Sequence, residues 1–428
     1  MKIAALRALR HRNFGLFFFG QSISLIGSWM TRLATSWLVY RLTGSSFLLG
    51  VVSFAGQIPT FLLCPVAGVW LDRWQRRRVL LVTQFLAALQ SLMLAGLTLS
   101  GRITISEIVL LSVFQGLINA FDVPARQSFL IQMVGGRADL GNAIALNSTM
   151  VNGALLVGPA LAGKTIAAVG EGYCFLMDGL SYFAVIASLL AMRLDARAAG
   201  RSAAGMLVQL KEGWTYISTF APIRTVMILF AIISFMGVPY AVLMPVFASR
   251  ILHGGPHTLG FLMGAAGVGA IIAALSLAAR KSIRGLYKAI PTAAALMGGG
   301  LIAFSFSRSL WLSLALMCVT GFGMMQEYAA SNTVIQTIVD DDKRGRVMSY
   351  WTMAYMGASP FGSLLAGSLA LVIGAPGTLL LGGTGCVLGA AWFWLQLPKL
   401  RPMIRPIYER LGILPLVPAV PIAVDGES

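Results

Sequence analysis

Apolar residues fall into runs of about 20 or more from Phe14 to Leu397, separated by short connections rich in basic residues or glycine. A hydrocarbon slab about 30 Å thick is crossed by about 20 apolar residues in helical form, so each run predicts one membrane-crossing helix. Twelve are predicted, over roughly 14–40, 46–71, 78–100, 104–124, 141–168, 172–192, 221–248, 258–279, 287–306, 310–334, 346–373 and 376–397. No run alternates at period two, as the strands of a membrane barrel would. The predicted fold class is therefore an all-α integral membrane protein. Lys2, Arg7, Arg10 and Arg12 precede a first run too long for a cleavable signal, which reads as a signal-anchor span.

Composition agrees: 57% of the 428 residues are hydrophobic and 11% charged, where soluble domains carry about a quarter charged. Charge adds an orientation. With the N-terminus in the cytoplasm, Arg73, Arg76, Arg77, Arg78, Arg126, Arg137, Arg193, Arg197 and Arg201 all fall inside. So do Arg280, Lys281, Arg284, Lys288, Lys343, Arg344, Arg346, Lys399, Arg401, Arg405 and Arg410, leaving Arg32, Arg41, Arg102, Lys164, Arg250 and Arg308 elsewhere. This asymmetry predicts cytoplasmic N- and C-termini. The net charge of +17 is spread over every inner loop, which argues against nucleic acid as a partner. Cys64, Cys174, Cys318 and Cys386 lie singly within spans and read as apolar packing. Gly254, Gly255 and Pro256 separate His253 from His257 and forbid a helical ligand pair, so no metal is expected.

Shifting the chain by 204 residues lays "GPALAG" (158–163) on "GSLLAG" (362–367), Gly141 on Gly345, and "IQMV" (131–134) on "IQTI" (335–338). The chain reads as a duplicated six-helix unit in one orientation, with a site expected between the units at mid-membrane. The expected divisions are a cytoplasmic N-terminus (1–13), an N-terminal bundle (14–192), a cytoplasmic linker (193–220), a C-terminal bundle (221–397) and a cytoplasmic tail (398–428). In the linker, Leu207, Leu210, Trp214 and Ile217 recur at helical spacing opposite Gln209, Lys211 and Glu212, which predicts either an amphipathic helix on the membrane surface or a solvated linker.

"GVWLDRWQRRRVLL" (68–81) occupies the inner loop between spans two and three, with Gly68, Asp72, Arg73, Arg76 and Arg77 in place and Gln75 where a second glycine would stand. It resembles the signature loop of the major facilitator superfamily. That resemblance implies a gate: Gly68 lets helices approach, Asp72 caps a helix of the opposite half, and the arginines meet carboxylates or lipid phosphates in one access state only. The counterpart "AARKSIRGLYK" (278–288) keeps the charge and lacks the aspartate. "GALLVGPALAG" (153–163) resembles the glycine-proline motif of the drug-proton antiporter branch; Gly153, Gly158 and Gly163 would form a smooth face and Pro159 a bend. "GPALAGKT" (158–165) also fits a phosphate-loop pattern, but its glycines sit inside a membrane helix rather than in a strand-to-helix turn, so no ATP is expected. "NAFDVPARQSFL" (119–130) and "DLGNAIALNSTM" (139–150) resemble the branch that includes the enterobactin exporter, a likeness extending over about 10–395.

Polar residues inside the spans mark the cavity. Gln21, Ser24, Ser28, Arg32 and Thr35 fall on one helical stripe of span one, and Gln115, Asn119, Asp122 and Arg126 on another in span four. Span ten adds Gln326, Glu327 and Ser331; span seven offers Ser234 and Tyr240 beside Pro239. An isolated charge at mid-membrane is costly, so Arg32 is expected to face water, pair with an acid, or lie at the lipid interface; a bound carboxylate, phosphate or catecholate would satisfy it. Asp122 and Glu327 take nearly equivalent places in the two units and are the candidate proton carriers, with Asp122 alternatively paired to Arg126 as part of the gate. Trp29, Met30, Met324, Met325 and Tyr328 would suit a greasy ligand or simple packing.

The expected protein is a secondary transporter of the bacterial inner membrane, not an enzyme. It would be a monomer among membrane lipids, without cofactors, exporting a small amphipathic or anionic organic compound in exchange for protons. Uptake, a lysophospholipid flippase of the same fold, and a non-transporting sensor or scaffold are the alternatives.

Overall fold

A computed structural model describes residues 4–71, 74–134, 139–193, 206–280, 282–340, 343–411 and 413. Among these the regular structure is entirely helical. A short 3-10 helix, Ala4–Arg10, and the residue after it are tied to the region of Asp139 and Asn142 by Arg7 and His11 on Asp139, the latter at 2.9 Å, and by the Ala8 amide donating to Asn142 at 2.8 Å. The first six long helices are α1 (Arg12–Thr43), α2 (Ser46–Leu71), α3 (Arg76–Leu99), α4 (Ile105–Met133), α5 (Leu140–Val169) and α6 (Glu171–Ala191). Then come α7 (Met206–Thr219), α8 (Ala221–Ile232), α9 (Tyr240–Val246), α10 (Pro256–Ala278), α11 (Leu286–Phe306), α12 (Leu310–Ile338), α13 (Arg344–Val372) and α14 (Gly374–Arg410).

Eleven of the described segments are long and apolar enough to cross a membrane, with α8, α9 and their flanking turns counted as the single segment Ala221–Ile251. The 32-residue α1 has the length but is diluted by its polar stripe and falls outside that set. Local chemistry sets several boundaries. Gly44 closes α1 at φ 62°, a left-handed conformation that costs a residue without a side chain little. Thr104 and Glu107 form a reciprocal capping box at the start of α4.

Helices run further than hydropathy predicts. α4 continues through Pro124 to Met133, and α14 continues through Pro398, Pro402 and Pro406 to Arg410, where a tail was expected from 398. Each internal proline removes one backbone bond. Burial of Leu397, Leu400, Ile404 and Tyr408 along one face keeps α14 helical past them. The seventh predicted crossing is interrupted instead, by π turns at Ile233–Gly237 and Phe247–Ile251 beside Pro239 and Pro245.

Within α1–α6, α1 packs on α5 and α6, α2 on α4, and α3 on α4 and α6. The same pattern recurs in α8–α14, where α10 packs on α12, α11 on α12 and α14, and α8 with its π turn on α13 and α14. The two groups meet chiefly along α2–α13 and α5–α10. Both contacts are closest at the end of the molecule away from the termini. There a methyl group on Gly163 would lie 2.7 Å from the Pro256 oxygen and 3.0 Å from Gly260 Cα, and one on Gly367 would lie 2.6 Å from the Ser46 oxygen and 3.0 Å from Gly50 Cα. Bare glycines let backbones touch backbones across the halves.

The linker helix α7 docks on protein. Glu212 pairs with Arg346 at 2.8 Å, the Tyr216 hydroxyl reaches Asp340 at 3.2 Å, and Ile217 is buried, while Trp214 is 60% exposed over Tyr350. The side chains of Leu207, Gln209 and Leu210 lie outside the described ones.

Gly153, by contrast with Gly163, faces open space. Gly163→Ala is expected to lower the thermal unfolding midpoint in detergent by the equivalent of about 1–3 kcal/mol through overpacking. Gly153→Ala should leave it unchanged or raise it, since alanine is favoured over glycine in a helix by about 0.5–1 kcal/mol.

Candidate functional site

The space between the halves begins with Arg32. It is exposed although it lies far inside α1, and its guanidinium stands 4.9 Å from the centre of the Trp29 ring. No carboxylate pairs with it among the described residues. Tyr182 of α6 and Tyr355 of α13 are close enough to act on it electrostatically. Arg32 therefore lies within electrostatic range of residues from both halves.

The rest of the α1 stripe turns inward. Gln21 and Ser24 are buried, and Ser28 reaches Asp178 (3.4 Å) and the Tyr182 hydroxyl (3.2 Å) on α6. A stripe at three-and-four spacing spans enough of a helix surface for one edge to meet a neighbour and the other to meet the cavity. On α4, Gln115 donates to Asn119 at 3.1 Å; both are partly buried, and the Gln115 oxygen has no hydrogen-bond partner. Asp122 is 3% exposed and fully held: Thr83 donates at 3.0 Å, Gln84 at 2.8 Å, and Arg126 forms an ion pair one turn along. This clamps α3 to α4.

The second half is drier. Glu327 is 1% exposed, and its Oε1 has no hydrogen-bond partner and no cation. Gln326 is also buried and accepts from Ser276 of α10 at 3.2 Å, while Ser234, in the first π turn, and Tyr240 are buried. The Ser234 hydroxyl has no partner. Beside Glu327, Tyr328 joins an aromatic cluster from three helices. Phe230 stacks on Trp351 at 4.7 Å, Tyr328 meets Trp351 edge-on at 4.6 Å, and Tyr355 lies 5.7 Å from Tyr328. Met30 is packed in the core, and Met324 and Met325 are partly buried.

Of the expected gate, Asp72 and Arg73 lie outside the described residues, and Gly68 falls within α2 with no surroundings described. Arg76 donates to the Ser128 carbonyl at 3.2 Å and Arg77 to the carbonyls of Leu189 and Leu190 at 2.9 and 3.0 Å, so with Arg126 they hold atoms of the first half alone. The small-residue motif divides its work. Gly158 receives α1, where a methyl group would meet Trp29 Cβ at 2.5 Å; Gly163, with the Pro159 carbonyl, receives α10.

Sequence reasoning missed Asp178, Trp351 and Tyr355. The signal for Asp178 was present, since a lone acid in "GYCFLMDGLSYF" is as anomalous in a membrane helix as Arg32. It shares a face of α6 with Glu171, Ser181 and Tyr182, but its hydrogen-bond donors come from α1 and α3, which the sequence does not bring beside it.

The Asp122–Arg126 pair predicts a measurable coupling. In a double-mutant cycle of Asp122→Asn and Arg126→Gln, read from unfolding in detergent, the two sites should couple by about 1–3 kcal/mol, the range for a charge-assisted bond in a partly buried site. Additive losses would show that the pair contributes nothing.

Comparison with known proteins agrees with this architecture. The chain is 27% identical to the staphyloferrin A transporter of Staphylococcus aureus over 390 residues, 90% of this chain and 96% of that one. It is 28% identical to the multidrug efflux pump Tap of Mycolicibacterium fortuitum, covering 83% and 88% of the two chains. It is 23% identical to the enterobactin exporter EntS of Salmonella typhi, covering 91% and 94%. Among solved structures, a mutant of the nucleoside transporter NupG superposes with a TM-score of 0.72 at 13% identity, over 91% of this chain and 100% of that one, a likeness of fold. The family model described as transmembrane secretion effector matches residues 3–405. The protein is thus a multi-pass membrane transporter for small molecules and belongs to the transmembrane secretion effector family of the major facilitator superfamily.

Proposed function

We propose that the protein exports a small amphipathic or anionic organic compound from a bacterial cytoplasm in exchange for protons, by alternating access of its two halves. The observation that carries the reading is Arg32, a cation without an acid, exposed between the halves within reach of Tyr355 from the other side. A guanidinium in that position recognises a carboxylate, phosphate or catecholate through paired hydrogen bonds. On the opposite half, the partly exposed rings of Tyr328 and Tyr355, backed by the buried Phe230 and Trp351, supply aromatic surface.

Several features support the cycle. In this reading α1 is the twelfth crossing, and the excess of basic residues in alternate loops supports cytoplasmic termini. The glycine contacts of α2–α13 and α5–α10 then close the outer end, reinforced by Arg250, which donates to the Gly44 carbonyl at 3.2 Å across the halves. At the inner end Arg76, Arg77 and Arg126 are engaged within one half, as expected for an inward-open state; rocking would exchange the two sets of contacts. Glu327 is the proton carrier of this scheme, a buried carboxyl with neither cation nor donor on Oε1, while Asp122 is held by Arg126 and belongs to the scaffold. A site with one cation and partly exposed tyrosine rings is consistent with the relatives named for a siderophore and for multiple drugs.

The test is purified protein in liposomes with an imposed pH gradient and a trapped pH dye, screened against siderophores, hydrophobic drugs and lysolipids. Substrate-dependent proton flux is expected, abolished by Glu327→Gln. Arg32→Ala should weaken apparent affinity roughly tenfold to a hundredfold for anionic compounds alone, as for loss of a bond to a charged group. Lysolipid crossing without any proton flux would overturn the antiporter and leave a flippase.

A further inference from the structure

Four carboxylates are buried among the described residues: Asp122, Glu171, Asp178 and Glu327. Arginine holds two of them, Arg126 on Asp122 and Arg41 on Glu171. Glu327 lies in the second half, which leaves Asp178 as the carboxylate in the first half without a cation. It is 1% exposed at the junction of α1, α3 and α6. Ser91 of α3 donates to Oδ2 at 2.9 Å, Ser28 of α1 lies 3.4 Å from Oδ1, and the Thr31 hydroxyl, unpartnered by hydrogen-bond geometry, faces the same group. A methyl group on Gly27 would sit 2.8 Å from Oδ1, so α1 closes tightly over the carboxyl. The fold itself does not require an acid there. The repeat places Gly382 at the equivalent position, packed within 2.6 Å of the Met236 carbonyl for any added methyl group.

A line of hydroxyls leads outward. Ser28 Oγ is 3.2 Å from the Tyr182 hydroxyl, and Tyr182 in turn lies in the field of Arg32. We propose that Asp178 is a second proton-binding site, reached from the central space through Tyr182 and Ser28, so that each half carries one exchangeable proton. The inference rests on the proton-coupled reading above. The transfer balances: a hydronium ion in the central space gives a proton to the Tyr182 oxygen and leaves as water, while Tyr182 passes its own proton to Ser28 and Ser28 passes its own to Oδ1, leaving both hydroxyls as they began. The other ionisable groups around Asp178 are Tyr182 and Cys174 on α6 and, beyond Tyr182, Arg32 on α1; α3 contributes Gln90 and Ser91, which are neutral. Proton binding at Asp178 therefore changes the charge felt through Tyr182 by Arg32, where the substrate is expected.

The test uses the proton itself as ligand. Infrared difference spectra of the full-length protein in lipid, recorded across a pH titration, are expected to contain two protonated-carboxyl bands. Asp178→Asn should remove one and Glu327→Gln the other; Ser91→Ala should keep the Asp178 band and move its frequency, which secures the assignment if Asp178→Asn folds poorly. Tyr182→Phe should keep the band and slow its hydrogen-deuterium exchange at least several-fold. A wild-type spectrum with a single titrating band, removed by Glu327→Gln and unchanged by Asp178→Asn and Ser91→Ala, would overturn the second site and leave the antiporter intact. No titrating carboxyl band at all would overturn both.

Discussion

An ion without a partner is expensive wherever water is excluded, and the arrangement of this protein follows from how each intramembrane charge meets that cost. Arg126 neutralises Asp122 one turn away, and Thr83 and Gln84 complete its shell, turning an acid into a bracket between α3 and α4. Arg41 does the same for Glu171, binding the end of α1 to the start of α6. Arg77 spreads its charge over the last carbonyls of α6, where the helix dipole also favours a cation. Among the described residues, Arg32, Glu327 and Asp178 have no counter-ion and stand out for that reason.

The second constraint is geometric. Two halves that rock must meet over a surface that can separate, and broad interdigitated side chains would resist this. Here they meet through bare backbone at Gly163 with Gly260 and at Gly367 with Gly50, Gly163 and Gly367 being equivalent under the internal repeat. The same motif seats the halves internally, with Gly158 against α1 and Gly362 against the π turn of the seventh crossing. One short glycine pattern thus serves contacts within a half and contacts between the halves, and its position along the helix decides which.

The duplication is unequal where chemistry is concerned. The first half carries its cation on α1 and its cation-free acid on α6, and the second carries its acid on α12 beside an aromatic cluster. A substrate lying between them would meet charge on one side and the tyrosine rings of Tyr328 and Tyr355 on the other. That asymmetry would orient an amphipathic molecule, whereas a symmetric pair of sites would not.

Much of this was legible in the chain. Apolar runs determined the helices because crossing lipid demands length and hydrophobicity, both local properties; the 204-residue repeat marked out two six-helix units; and Asp122 with Arg126 could be read because one helical turn brings them together. Other features depended on contacts between residues far apart in sequence. Ser28 meets Asp178 150 positions away, and whether its stripe faced water or protein depended on where α6 lay. α7 docks on α13 rather than lying free because Arg346 is 134 positions beyond Glu212, and α14 passes its prolines because its buried face packs against distant helices. Periodicity determines which residues share a face of a helix; only the packed structure decides what that face meets.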